Sequence, residues 1–165
     1  ILSNYFPLLG AIKKIECYDI SNISGRLATG SLVTFIDGDP DKNFYRRFRI
    51  KTKSTPDDFA MLSEVLKRRL SHTDWPLPDL IIVDGGKPQV STMSKILEDQ
   101  NLTIPLVGLA KREEQIILLH NDNFVTLSLK VGSGALSLVQ RLRDEAHRFA
   151  HKYHQLLRLK ALIKT

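Results

Sequence analysis

Apolar positions along this chain alternate first, then recur at helical spacing, then alternate again. After an irregular lead-in at Leu2–Gly10, the segments Lys14–Ser21, Leu27–Ile36 and Phe44–Ile50 carry the β-branched and aromatic content of strands. Asn22-Ile23-Ser24-Gly25 and Asp37-Gly38-Asp39-Pro40 supply turn residues between them, so the opening third reads as an antiparallel meander. Thr55-Pro56-Asp57-Asp58 then opens a helix, with a capping threonine, a proline in the first turn and acids at its positive end. The apolar stripe of that helix is Phe59, Leu62, Leu66 and Leu70.

Trp75-Pro76-Leu77-Pro78 ends this unit and leads into a short strand at Leu80–Val83. A helix over Pro88–Glu98 and a strand over Ile104–Leu109 follow, an order that implies parallel pairing of the two strands. Ile116–Leu119 and Phe124–Leu129, separated by His120-Asn121-Asp122-Asn123, form a hairpin. A long helix, Ala135–Leu162, closes the chain. Val139, Leu142, Ala146, Phe149/Ala150, Tyr153 and Leu156/Leu157 make its core stripe. Arg143, His147, His151, His154 and Arg158 make a second stripe, expected to face away from much of the core.

A length of 165 residues fits one α/β domain, here a lead-in at 1–13 followed by a domain over 14–165. No apolar run is long enough to span a bilayer and no signal-peptide pattern opens the chain, so a cytoplasmic location is expected. The missing initiator methionine and the basic final helix read as a fragment of a longer multidomain protein. The single cysteine, Cys17, excludes an internal disulfide and a Cys-based zinc site, and its apolar strand marks it as a core residue. No Walker loop or dinucleotide fingerprint is complete.

Charge changes the picture more than size does. The formal net charge is +6, and Arg141–Thr165 alone holds seven basic residues against two acids. A second basic run comprises Arg46, Arg47, Arg49, Lys51 and Lys53. Clustered cations of this kind favour a polyanionic partner, because neutralising phosphates releases their counterions. Within this basic chain two carboxylates occupy strand ends. Asp84 ends Leu80-Ile81-Ile82-Val83 and is followed by Gly85-Gly86-Lys87, while Asp19 lies near the end of Lys14–Ser21. Ligands of open α/β sheets bind outside the carboxyl ends of the strands, and glycines allow close approach of a phosphate or a metal. Two such aspartates point to metal-dependent phosphodiester chemistry. His147-Arg148-Phe149-Ala150-His151 has the spacing of a zinc-protease helix, but Arg148 stands where the catalytic glutamate belongs, which argues against that chemistry.

An ordered set of motifs sharpens this reading: Cys17-Tyr18-Asp19-Ile20-Ser21, Tyr45-Arg46-Arg47-Phe48, Asp57-Asp58-Phe59, Ile82-Val83-Asp84-Gly85-Gly86-Lys87, Gly108-Leu109-Ala110-Lys111, and Gln140-Arg141-Leu142-Arg143-Asp144-Glu145-Ala146-His147-Arg148-Phe149-Ala150. Together they resemble the C-terminal nuclease domain of the C subunit of the bacterial UvrABC excinuclease (UvrC). The order of elements is that of the ribonuclease H-like fold, a mixed sheet of three antiparallel strands followed by parallel strands, flanked by helices. The resemblance implies an endonuclease that makes the 5′ incision beside a DNA lesion in nucleotide excision repair and the SOS response. Damaged double-stranded DNA and the B subunit (UvrB) are the implied partners, the latter engaged mainly through regions outside this chain.

The same resemblance puts Asp19, Asp84 and His147 on catalytic positions and Asp58 on a further acidic one. Asp19 and Asp84 are then the expected ligands of Mg²⁺ or Mn²⁺ and His147 the expected general base or phosphate donor; Lys87, Lys111 and Arg143, as basic residues near these motifs, are candidate DNA contacts. Asp144 and Glu145 are read as lying on faces of the final helix other than that of His147. Two departures stand out: Pro88 where the family usually has glycine, and Asn22 where histidine is common. Neither touches the metal-binding acids. Two rival readings are a non-catalytic nucleic-acid-binding module on the same shell and a ribonuclease H-like nuclease of RNA hybrids or four-way junctions. Retention of both aspartates and the histidine argues against the first, and a histidine in place of the last acid argues against the second.

Overall fold

The computed structural model describes residues 10–21, 28–51, 58–110 and 114–164. Their strands are β1 (Lys14–Ser21), β2 (Thr29–Ile36), β3 (Asp39–Pro40), β4 (Arg46–Arg49), β5 (Leu80–Val83), β6 (Leu106–Leu109), β7 (Gln115–His120) and β8 (Asn123–Ser128). The helices are α1 (Asp58–Ser71), α2 (Lys87–Asp99) and α3 (Gly134–Ile163). All strands join one sheet in the order β3-β2-β1-β5-β6-β7-β8, with β4 also paired to β2. β1, β2 and β4 run antiparallel in succession, β1-β5 and β5-β6 are parallel, and β7-β8 is the expected hairpin. This is the ribonuclease H-like mixed sheet expected from the order of elements.

Strand alternation divides the core into two layers. Ile15 and Cys17 of β1, with Leu80 and Ile82 of β5, pack beneath Leu142, Ala146 and Phe149 of α3. Tyr18, Ile81 and Val83 face the other way, against Leu62, Val65 and Leu66 of α1 and Val90 and Met93 of α2. Gly30 of β2 permits the close approach of α1, since a Cβ there would lie 2.3 Å from a methyl of Val65. Cys17 is buried, as its strand position required.

Three expectations need correction. Phe59 is 44 % exposed, and the buried stripe of α1 is instead Met61, Leu62, Val65 and Leu66, ending on Arg69. A charged residue thus completes the buried face, which a count of apolar positions could not reveal. The strand expected over Phe44–Ile50 is β4 and begins at Arg46, because Lys42–Phe44 forms a 3-10 turn capped by the side chain of Asp41. On α3, His154 is buried and hydrogen-bonded to Thr29 at 2.7 Å, so the histidine stripe does not face away from the sheet throughout. The expected Thr55 cap lies outside the described residues.

Arg69 is matched by Glu16, the only other charged side chain among the most deeply buried described residues. Its Nε and terminal nitrogen donate to Glu16 at 3.0 and 2.7 Å, and Tyr18 donates its hydroxyl to the same carboxylate at 2.9 Å. Arg69 also donates to the carbonyl of Pro76 at 2.8 Å, tying the segment before β5 to α1. Pairing in a dry layer must offset the desolvation of both ions, so losing one partner leaves an uncompensated charge. Arg69→Met should therefore destabilise the fold by about 3–5 kcal/mol. Combining it with Glu16→Leu should recover much of that loss in urea denaturation.

Candidate active site

Alternation and register bring the two strand-end carboxylates together. Asp19 follows Ile15 and Cys17 onto the α3 side of β1, and Asp84 follows Leu80 and Ile82 onto the α3 side of β5. Tyr18 pairs with Val83, and the Asp84 amide donates to the Tyr18 carbonyl at 3.1 Å, extending the parallel ladder by one residue. Asp19 and Asp84 thus stand level on neighbouring strands, at the carboxyl ends where such sheets bind ligands.

The chain then turns sharply at Gly85-Gly86 into α2. Gly108 of β6 makes room for that turn: a Cβ at this position would lie 2.5 Å from the Gly85 carbonyl oxygen. Gln89 reaches back to accept from the Gly86 amide at 3.0 Å. The turn amide is therefore satisfied without Asp84, whose carboxylate points instead at α3. Pro88 sits in the first helical turn, where its missing N–H has little consequence.

α3 delivers the third group. Leu142, Ala146 and Phe149 bury the core side of the helix, which leaves Arg143 and His147 at the sheet's carboxyl end. His147 Nε2 lies 2.6 Å from Asp84 Oδ2 and 3.5 Å from Asp19 Oδ2. Arg143 Nε lies 3.5 Å from Asp84 Oδ1, so the other oxygen of that carboxylate faces a guanidinium. Among the described residues, Asp19, Asp84 and His147 form a group whose candidate ligand atoms all lie within 4.8 Å of one another. Its exposure is uneven: the side chain of Asp19 is 13 % exposed and that of His147 49 %. The inner carboxylate is sheltered while the imidazole meets solvent.

Electrostatics matches this geometry. Burial pushes the Asp19 carboxyl up to about 6; His147 opposes the shift, Asp84 reinforces it by like charge, and Arg143 also opposes it. Two carboxylates packed against one histidine are an oxygen-rich donor set suited to a hard divalent cation. An open pocket of about 650 Å³ adjoins them, lined by Asp19, Asp144, His147, Arg148, His151 and His154 among others. Asp144 lies one turn before His147 and lines the same pocket, which corrects its expected placement on another face.

The remaining expected site residues are less concentrated. Asp58 is the first residue of α1, but its side chain lies outside the described residues, as does all of Lys111. Lys87 is exposed at the start of α2, its ammonium 5.7 Å from the centre of the Phe124 ring. Arg143, expected to contact DNA, faces Asp84. Among the described residues, no helix is long and apolar enough to cross a membrane.

Raising a buried acid's pKa costs stability once the group ionises. For Asp19 the contribution is fully present below the unfolded value of about 4 and is lost as pH rises through about 6. In EDTA, Asp19→Asn should therefore match the parent near pH 4 and exceed it by up to ~3 kcal/mol near pH 8. Chemical denaturation at the two pH values measures the difference.

The family model described as the UvrC RNAse H endonuclease domain matches residues 3–151. The UvrABC system protein C of Methanococcus maripaludis is 50 % identical over 153 residues, covering 91 % of this chain and 29 % of that protein. Its counterpart from Prosthecochloris aestuarii is 45 % identical over 177 residues, covering 99 % of this chain and 28 % of the relative. The structure of human ENDOV superposes more loosely, with a TM-score of 0.46 and 12 % identity over 87 % of this chain and 86 % of that one. This chain thus spans under a third of the curated relatives' length. The chain belongs to the UvrC ribonuclease H endonuclease domain family.

Proposed function

We propose that this chain is a divalent-metal-dependent DNA endonuclease domain that makes the 5′ incision beside a lesion in bacterial nucleotide excision repair, in the cytoplasm and together with the B subunit. The observation that carries this reading is the convergence of Asp19, Asp84 and His147 at the carboxyl ends of β1 and β5. Asp19 and Asp84 would hold Mg²⁺ or Mn²⁺. The cation supplies Lewis-acid polarisation of the scissile phosphate and makes a bound water more acidic.

The chain's own groups do the rest. Arg143 orients Asp84 through Oδ1, leaving Oδ2 directed toward His147. His147, half exposed beside both carboxylates, receives the proton of the attacking water. Partial burial of Asp19 lowers the screening around its carboxylate, which strengthens its charge interactions. In this reading Lys87 and Lys111 contact backbone phosphates, and Asp58 adds a further acid. A binding-only module would draw no benefit from carboxylates beside a phosphate, which supports catalysis over that alternative.

Mn²⁺ binding and incision test the proposal together. Asp84→Asn should abolish Mn²⁺ binding measured by calorimetry. His147→Ala should retain binding but lower the incision rate by about 100-fold or more in the reassembled repair complex on lesion-bearing duplex DNA. Undiminished incision by Asp84→Asn, or incision in EDTA, would sink the reading. A DNA–RNA hybrid cut faster than the lesion duplex would redirect it toward hybrid cleavage.

The pH dependence has a definite sign. A cation must displace the proton on Asp19, so Mn²⁺ affinity should fall about tenfold per pH unit below about 6 and level off above it. Calorimetric titrations between pH 5 and 8, with Asp19→Asn as comparison, measure that slope.

A further inference from the structure

The motif Tyr45-Arg46-Arg47-Phe48 takes no part in the chemistry described so far, yet half of it lies on the face that carries the site. Arg47 of β4 pairs with Ser31 of β2, and Ser31 pairs with Asp19 of β1. Directly opposed residues of antiparallel strands project to the same side, so Arg47 and Asp19 share the α3 face in one row of the sheet. Two strand spacings separate their backbones, roughly 10 Å.

Its neighbour is committed elsewhere. Arg46 projects to the opposite face, where it donates to the carbonyls of Asn43 and Tyr45 at 2.9 Å and lies 4.5 Å from the Trp75 ring. Arg148 is forked onto Glu145 at 2.9 and 2.6 Å, and Arg143 faces Asp84. Arg47, by contrast, is exposed and meets no carboxylate among the described residues. Its guanidinium lies 4.5 Å from the Phe149 ring centre and 5.3 Å from that of Tyr153, both on α3. Those rings hold the cation by their quadrupoles without using its N–H donors. Phe149 is fixed in turn by an edge contact with Tyr45 at 5.0 Å, and the Tyr45 hydroxyl donates to Glu145 at 2.9 Å.

A guanidinium positioned by aromatic faces, with its donor fork turned to solvent, is a preorganised receptor for a phosphodiester. We infer that Arg47 binds a backbone phosphate of the DNA strand being cut, two to three nucleotide steps from the scissile bond at ~3.4 Å of axial rise each, and so aligns that strand across Asp19 and Asp84. This rests on the nuclease reading and adds to it a substrate-positioning residue on a strand that carries none of the catalytic groups. The pairing of Arg47 with Phe149 and Tyr153 also joins the substrate contact to the helix that presents His147.

The test compares the unsubstituted chain with Arg47→Met, which keeps an unbranched apolar stem over the rings, and Arg47→Lys, which keeps the charge but loses the fork. Binding of a short fluorescent duplex DNA is followed over a KCl series in EDTA, and Mn²⁺ binding is measured separately. Arg47→Met should weaken DNA binding roughly 10-fold near 0.1 M salt and lower the slope of log affinity against log salt by about 0.9. Arg47→Lys should keep the slope while binding more weakly than the parent. Mn²⁺ affinity should be the same in all three proteins. An unchanged slope in Arg47→Met, with only its denaturation midpoint lowered, makes Arg47 a packing residue and overturns the inference alone. Failure of the unsubstituted chain to bind DNA also overturns it, and failure to bind Mn²⁺ strikes the nuclease reading beneath it.

Discussion

The parallel pairing of β1 with β5 is the contact on which the rest of the molecule depends. It joins strands separated by the meander and α1, and it sets Asp19 beside Asp84. A slip of one residue would send one carboxylate into the layer filled by α1 and α2, because side chains alternate at a period of two. The register is guarded from both layers. Ile15 and Cys17 must meet α3, while Glu16 and Tyr18 must meet Arg69. One strand thus carries an apolar row, a buried ionic group and a strand-end carboxylate beside Asp84, each of which fits only one alignment.

The site is assembled against local stability. Asp19 is sheltered enough for its ionisation to be costly, and Asp84 stands close enough to add like-charge repulsion. His147 and Arg143 offset part of this, and both come from α3. The helix is therefore more than a cover for the sheet, since it supplies the imidazole and the guanidinium that face two crowded carboxylates. Its own attachment is distributed over Leu142, Ala146 and Phe149 in the core, the Tyr45–Glu145–Arg148 network and the Thr29–His154 hydrogen bond. These contacts flank His147 on both sides along the helix, which fixes the imidazole without a direct ligand from the sheet other than the aspartates themselves.

Elements with a strong period were plain in the sequence. The apolar run of β5, the alternation of β1 and the repeat of α3 follow from how side chains project from strands and helices. The motif order identifies the family, and the strand-end positions of Asp19 and Asp84, with the resemblance that adds His147, single out the three residues whose candidate ligand atoms lie within 4.8 Å of one another. Two departures from the apolar pattern arise where a polar residue takes a buried position. Arg69 completes the inner face of α1 because Glu16 neutralises it, and His154 lies against the sheet because Thr29 bonds it. Such substitutions are invisible to apolar periodicity, which registers hydrophobic residues and not satisfied polar pairs.

By itself, the sequence determined the element order, the strand-end position of both aspartates and the family to which they belong, all of which depend on local pattern. Only the tertiary structure decided that Arg143 faces Asp84, that Asp144 shares the pocket with His147, and that Arg46 meets the Trp75 ring while Arg47 meets those of Phe149 and Tyr153. These outcomes depend on contacts between residues distant in the chain. Local spacing sets the direction in which a side chain leaves the backbone, but the charge or ring it meets is set by the packing of separate elements against one another.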